Sequence, residues 1–127
     1  MTKTRILIVD DETNNQRILS YTLNKGGYET IVVGNGDAAL HYLSEESPDL
    51  AILDVAMPGM DGITLLHHIR AIQRYRALPV IILTGSGDDA ERIRAEEAGI
   101  QGFLTKPASS KTILDTVTQL LDSNAKD

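Results

Sequence analysis

The chain has 127 residues, 42% apolar, with a formal net charge of −6 and a pI near 4.9. That length fits one domain able to bury roughly two-thirds of its unfolded surface, and the apolar content is too high for a disordered chain. The absence of cysteine excludes a disulfide framework and any thiolate zinc site and points mildly to a reducing compartment, while the acidic balance argues against direct nucleic-acid binding.

The chain opens on a strand at Arg5 to Val9, a run too short for a signal peptide, and Asp10, Asp11 and Glu12 follow it. No apolar stretch is long enough to span a bilayer, so the expectation is a cytoplasmic domain without membrane contact. A helix is predicted over Thr13 to Lys25, with Ile18, Leu19, Thr22 and Leu23 on its apolar side and Gly26-Gly27 as its stop. A weaker strand from Tyr28 to Val33 precedes a helix over Asp37 to Glu45. The strand Leu50 to Leu53 ends at Asp54, and a helix is predicted over Gly62 to Tyr75. The strand Pro79 to Leu83 is followed by Thr84, Gly85 and Ser86. A helix over Asp88 to Ala98 then ends at Gly99. The last strand, Gly102 to Leu104, leads to Thr105, Lys106 and Pro107, and a helix with Ser109 or Ser110 as its cap covers Ser109 to Leu121. Ser123 to Asp127 reads as a tail, outside a core of about residues 5–121.

Short, near-continuous apolar strands alternating with amphipathic helices describe a parallel sheet covered on both faces. The expected architecture is a doubly wound α/β domain, flavodoxin-like, with five parallel strands in the order 2-1-3-4-5 and five helices. Sites in such sheets form beyond the carboxyl ends of the strands, where strand order reverses. The residues expected there are Asp10, Asp11, Asp54, Thr84 and Lys106. Two carboxylates about 4 Å apart repel by roughly 4 kcal/mol at an effective dielectric near 20, so the group must protonate, stay wet or bind a cation. Hard oxygen ligands suit Mg²⁺. With Lys106 as a positive point and Thr84 as a hydroxyl donor, the set describes phosphoryl transfer onto Asp54. Glu12 is placed to tune the metal site. Each residue alone has a plainer reading: the acid pair as a helix cap, Asp54 as a loop or cap residue, Thr84 as a turn residue, Lys106 as a solvated loop lysine. His41, His67 and His68 have no metal-ligand spacing and read as surface residues.

Four segments carry a resemblance to the receiver domain of two-component response regulators: Ile6 to Glu12, Leu53 to Gly62, Val80 to Gly85 and Phe103 to Pro107. The resemblance spans about Arg5 to Leu121, as one receiver domain. It implies Asp54 as phosphoacceptor, Asp10 and Asp11 as the acidic pair with Asp11 the more direct ligand, and the Ala56 backbone carbonyl as a further ligand of Mg²⁺. It implies Lys106 as the phosphoryl partner, before a cis bond to Pro107, and Gly62 at the tight start of the third helix, where unusual backbone angles are tolerated. Thr84 and Phe103 would form the switch that alters the face of helix 4, strand 5 and helix 5. The phosphodonor implied is a sensor histidine kinase or phosphotransfer protein, docking near Asn14 to Tyr21. A downstream output protein or fused output domain would read the switched face, through which a homodimer is also conceivable. The domain would undergo only self-phosphorylation and autodephosphorylation rather than act as an enzyme. Phe103 stands where tyrosine is frequent, Ala108 where a large apolar residue is common, and Ala56 offers no polar side chain to tune phosphate lifetime.

Three other readings stand beside this one. A flavin-type cofactor binder shares the topology but wants a Ser/Thr/Gly-rich loop where Asp10-Asp11-Glu12 stands. A haloacid-dehalogenase-type phosphatase wants an acid at the position of Ala56. A receiver-like interaction module would use the same fold without phosphorylation.

Overall fold

Three central runs rich in Ile, Val and Leu, at residues 5–9, 50–53 and 80–84, form strands whose alternate side chains enter two different cores, and two less buried strands flank them. The computed structural model describes residues 3–125. In chain order the elements are β1 (Arg5–Val9), α1 (Thr13–Lys25), β2 (Glu29–Val33), α2 (Gly36–Glu45), β3 (Leu50–Leu53), α3 (Gly62–Ala71), β4 (Val80–Thr84), α4 (Asp89–Ala98), β5 (Gly102–Thr105) and α5 (Ser110–Ala125). All strand pairs are parallel, in the order β2-β1-β3-β4-β5. This is the expected flavodoxin-like α/β fold.

The period of two along each strand sorts the core. Leu7, Val9, Ala51, Leu53, Val80 and Ile82 face α2, α3 and α4, meeting Leu43, Leu66 and Ile69 among others. Ile6, Ile8, Leu50, Ile52, Ile81 and Leu83 face the opposite way, toward Leu19 and Leu23 of α1 and Ile113 and Val117 of α5. β1 and β3 lie in register, with Val9 opposite Leu53. From β1 the chain turns outward to β2, then returns to the other side of β1 as β3. That reversal leaves a crevice at the carboxyl ends of β1 and β3, directly beyond the Val9–Leu53 pair.

Several boundaries differ from the sequence expectation. The helix predicted over Gly62 to Tyr75 ends at Ala71; Ile72 takes an extended conformation and Gln73–Tyr75 form a 3₁₀ turn. Tertiary contacts override helical periodicity here. Tyr75 is buried, its hydroxyl donates to the Leu43 carbonyl at 2.6 Å, and Arg70 donates to the Tyr75 carbonyl at 2.8 Å. At the other end of the chain, Ser123, Asn124 and Ala125, expected in a tail, continue α5, since no Gly or Pro interrupts the helix after Ser110. Lys126 and Asp127 lie outside the described residues. Ile18, expected on the apolar side of α1, is 59% exposed, while Leu19, Thr22 and Leu23 form the buried stripe. Of the two candidate caps of α5, Ser109 serves, its hydroxyl accepting the Thr112 N–H at 3.0 Å. Among the described residues no helix is long and apolar enough to cross a membrane.

Candidate active site

Asp10 and Asp54 are the residues immediately after the paired ends of β1 and β3. Their backbone N–H groups extend the ladders, Asp10 donating to the Val33 carbonyl and Asp54 to the Val9 carbonyl. Both side chains are therefore delivered to the crevice by the sheet itself. Asp10 and Asp54 are buried and Asp11 is exposed. One carboxylate oxygen from each of the three lies within 4.8 Å of the others.

The cap reading of the acid pair does not hold. Glu12 is the N-cap of α1 and makes no side-chain cap bond. The Asp10 carboxylate instead accepts the Glu12 N–H at 2.9 Å, and Gln16 donates to the Asp10 carbonyl at 2.6 Å. The first bond orients the Asp10 carboxylate, and the second ties the Asp10 main chain to a glutamine a turn into α1. Neither Gln16 nor that use of Glu12 carries a sequence signal, since a glutamine on a polar helix face is ordinary. The Glu12 carboxylate is not part of the clustered trio.

β5 delivers Lys106 from the other side. Its N–H donates to the Thr84 carbonyl at 2.7 Å, continuing the β4–β5 ladder, and its peptide bond to Pro107 is cis. The ammonium lies 3.1 Å from Asp54 Oδ1 and 3.4 Å from Asp10 Oδ2. Burial pushes the lysine pKa down, but the pull of Asp54 and Asp10 outweighs it and holds the group above the ordinary lysine value. The same pair does not lower Asp54. Burial, reinforced by repulsion from Asp10 and Asp11, wins over Lys106 and holds the Asp54 carboxyl above the ordinary range.

The β3–α3 loop wraps tightly around Asp54. Met57 and Gly62 both donate their N–H groups to the Val55 carbonyl. A Cβ on Gly62 would lie 2.1 Å from the Asp54 carbonyl oxygen, so space rather than backbone angle demands glycine there. Gly62 is not among the glycines with positive φ, which corrects the expectation of an unusual conformation. Val55 and Met57 are buried, and Ala56 between them is exposed. Thr84 ends β4 and is buried, its hydroxyl accepting the Ser86 N–H at 3.2 Å; no hydrogen bond to the acidic trio is formed among the described residues. Phe103 is half-buried, with the Arg92 guanidinium 4.8 Å from its ring centre. His41, His67 and His68 are exposed, and none belongs to the acidic cluster.

The trio carries three negative charges when ionised, and Lys106 offsets one. A residual charge of about −2 among oxygen ligands fits a divalent cation. The pocket can thus hold a divalent metal next to a carboxylate nucleophile and a lysine.

Comparison with known proteins agrees with this geometry. The family described as response regulator receiver domain matches residues 6–118. The transcriptional regulatory protein ResD of Bacillus subtilis is 38% identical over 119 residues, covering 94% of this chain and 48% of that protein. The phosphate regulon transcriptional regulatory protein PhoB of Escherichia coli is 32% identical over 117 residues, covering 92% and 51%. The chain spans about half the length of the curated relatives it matches. Among solved structures, the receiver domain of a signal transduction histidine kinase from Syntrophus aciditrophicus superposes with a TM-score of 0.88 at 38% identity, covering 94% of this chain and 91% of that one. Chemotaxis response regulator CheY4 of Vibrio cholerae gives 0.88 at 29%, covering 94% and 99%. The receiver-domain fold is typical of phosphoacceptor switches, and the acidic trio is typical of their active site. The chain belongs to the receiver-domain family of two-component response regulators.

Proposed function

We propose that the domain takes a phosphoryl group onto Asp54 and changes conformation in response. The observation that carries this reading is the buried Asp54 carboxylate, clustered with Asp10 and Asp11 and 3.1 Å from the Lys106 ammonium. Asp54 attacks phosphorus, a P–O bond to Asp54 forms, and the donor's bond to phosphorus breaks, its electron pair leaving with the donor. Lys106 passes from the carboxylates to the phosphoryl oxygens and neutralises charge there. Asp10, Asp11, Asp54 and the Ala56 backbone carbonyl are the residues that would hold Mg²⁺. When bound, that ion offsets the repulsion among the carboxylates and supplies further positive charge to the phosphoryl oxygens.

The Thr84 hydroxyl then turns from the Ser86 N–H toward the new phosphoryl group, and the Phe103 ring moves inward. The burial of Thr84 at the end of β4 and the half-burial of Phe103 one strand away support this pairing. The donor is a sensor histidine kinase or phosphotransfer protein in the cytoplasm, docking at α1. Similarity to a histidine kinase's receiver domain supports a phosphotransfer partner. Residues 1–127 act as one receiver unit. The α4–β5–α5 face is read by a downstream protein or a fused output domain, or by a second copy.

Incubation with Mg²⁺ and a small acyl phosphate should add the mass of one phosphoryl group, and Asp54→Asn should add none. A wild-type protein that gains no mass with any donor, or an Asp54→Asn variant that gains it equally, would remove the phosphoacceptor role.

A further inference from the structure

Helix α4 is fastened to the domain differently from α3 beside it. The side chains that α4 buries are Ala95 and Ala98, whereas α3 buries Ile63, Leu65, Leu66 and Ile69. Its one large apolar residue, Ile93, is 53% exposed. Two alanine methyl groups remove little apolar surface from water, so core packing alone holds α4 weakly. Arginine contacts do the rest. Arg92 stacks on the Phe103 ring of β5 at 4.8 Å. Arg94 Nη2 lies 3.7 Å from Asp61 Oδ2, at the start of α3. At the far end, Arg70 of α3 donates twice to the Gly99 carbonyl, from Nε at 2.9 Å and Nη2 at 2.6 Å.

The first two contacts point toward the phosphoacceptor. Asp61 closes the loop that begins at Asp54, and Phe103 stands three residues before Lys106. A phenyl ring has no hydroxyl to anchor it, so its face is the handle a cation can grip. Beside it a surface cleft lined by Arg92, Glu96, Ile100 and Phe103 separates α4 from β5. The first turn of α4 also buries Glu91 Oε1 with no hydrogen-bond partner among the described residues. A buried acceptor left unpaired marks an arrangement that is not fully satisfied.

We propose that Arg92 and Arg94 are positioning residues that latch α4 to Phe103 and Asp61, with Arg70 as the fixed pivot at Gly99, and that release of the two latches frees α4 from β5. The proposal deepens the phosphoacceptor reading and rests on it for the trigger alone. An exposed cation–π contact and an exposed ion pair are each weak, about two- to fivefold in an opening equilibrium at most. Together they are strong enough to bias α4 and weak enough for one phosphoryl group to overcome.

Hydrogen exchange of residues 89–98, followed by mass spectrometry in the full chain, tests this. Arg92→Ala and Arg94→Ala should each speed exchange of α4 by about two- to fivefold and the double variant by roughly tenfold, with β1, β3 and α3 unchanged. Arg92→Lys should restore part of the protection. Arg92→Ala should have no effect in a Phe103→Leu background, and Arg94→Ala none in Asp61→Asn, which keeps a capping side chain. Unchanged α4 exchange in the double variant overturns the latches. So does an Arg92→Ala effect that persists without the ring, or an equal rise throughout the sheet. With Mg²⁺ and an acyl phosphate, wild-type α4 exchange should rise toward that of the double variant, which should rise no further. A phosphorylated wild type with α4 as protected as before overturns the coupling. Failure to gain a phosphoryl group sinks the phosphoacceptor reading instead, and the latches are still judged by the unphosphorylated variants.

Discussion

Asp54 is held ready by opposing influences. Burial and the charges of Asp10 and Asp11 raise its pKa, and Lys106 works against them. A raised carboxyl contributes stability that is fully present below the unfolded value, about pH 4, and lost as pH rises through the folded value. Asn at this position never ionises and keeps that stability. Metal-free Asp54→Asn should therefore melt a few degrees above wild type at pH 7, and the gap should close near pH 4; equal melting temperatures across that range would contradict the assignment. Gly62 makes a second residue-scale claim. A methyl group there meets the Asp54 carbonyl, a main-chain group with no flexible side chain to yield. Gly62→Ala should destabilise by about 1–3 kcal/mol in urea titration and slow phosphorylation, because the loop must move away from Asp54. Glycine at position 62 is evident from the sequence, but its reason is not: the neighbour it must avoid lies across a loop closure, and only coordinates reveal it.

Helices α2, α3 and α4 begin with side-chain caps, whereas α1 does not. Asn35, Asp61 and Asp88 accept the N–H groups of Ala38, Thr64 and Glu91, each at 2.8 Å. Asp61 matters most because it ends the loop that holds Asp54. Burial raises its pKa, but the hydrogen bonds from Thr64 and the nearby Arg94 outweigh that and leave it lowered. Its contribution is present above the unfolded carboxylate value and lost as pH falls through the folded one. Asp61→Ala should lose about 1 kcal/mol at pH 7. Asp61→Asn should remove most of the acid dependence below about pH 4 that this cap contributes. Denaturant midpoints measured between pH 3 and 7 check both. At this scale the sequence was legible where propensity and packing agree. α1 begins and ends as periodicity and Gly26-Gly27 imply, and Gly99 ends α4 with φ of 97°. It misled where a tertiary hydrogen bond outweighed local preference: Tyr75 turns into the core to reach Leu43, and α3 stops four residues early.

Across the molecule, three acids and one lysine from three separate strand ends share a single charge balance. A divalent cation bound to the native pocket and not to the unfolded chain stabilises the fold by mass action. Mg²⁺ at a hundredfold excess over its Kd should add about 2.7 kcal/mol to unfolding free energy in urea. That increment should shrink in Asp11→Asn and in Asp54→Asn, which remove candidate ligands, and a fully retained increment in both would place the ion elsewhere. The sequence by itself determined the alternation of strands and helices, and hence which residues stand at strand ends. Apolar runs of four or five residues alternating with amphipathic helices fit covered strands of a parallel sheet, and right-handed crossovers limit the orders such a sheet can take. It also determined the donor types of the site, since Asp10, Asp11, Asp54 and Lys106 each follow such a run. What only the tertiary structure decided are the relations that depend on distance between segments remote in sequence. These include Lys106 bridging two carboxylates and the arginine contacts of α4. The physical reason is that strand register and helix period are set by local geometry, whereas a side chain's partner is set by which remote segment packing brings within bonding or stacking reach.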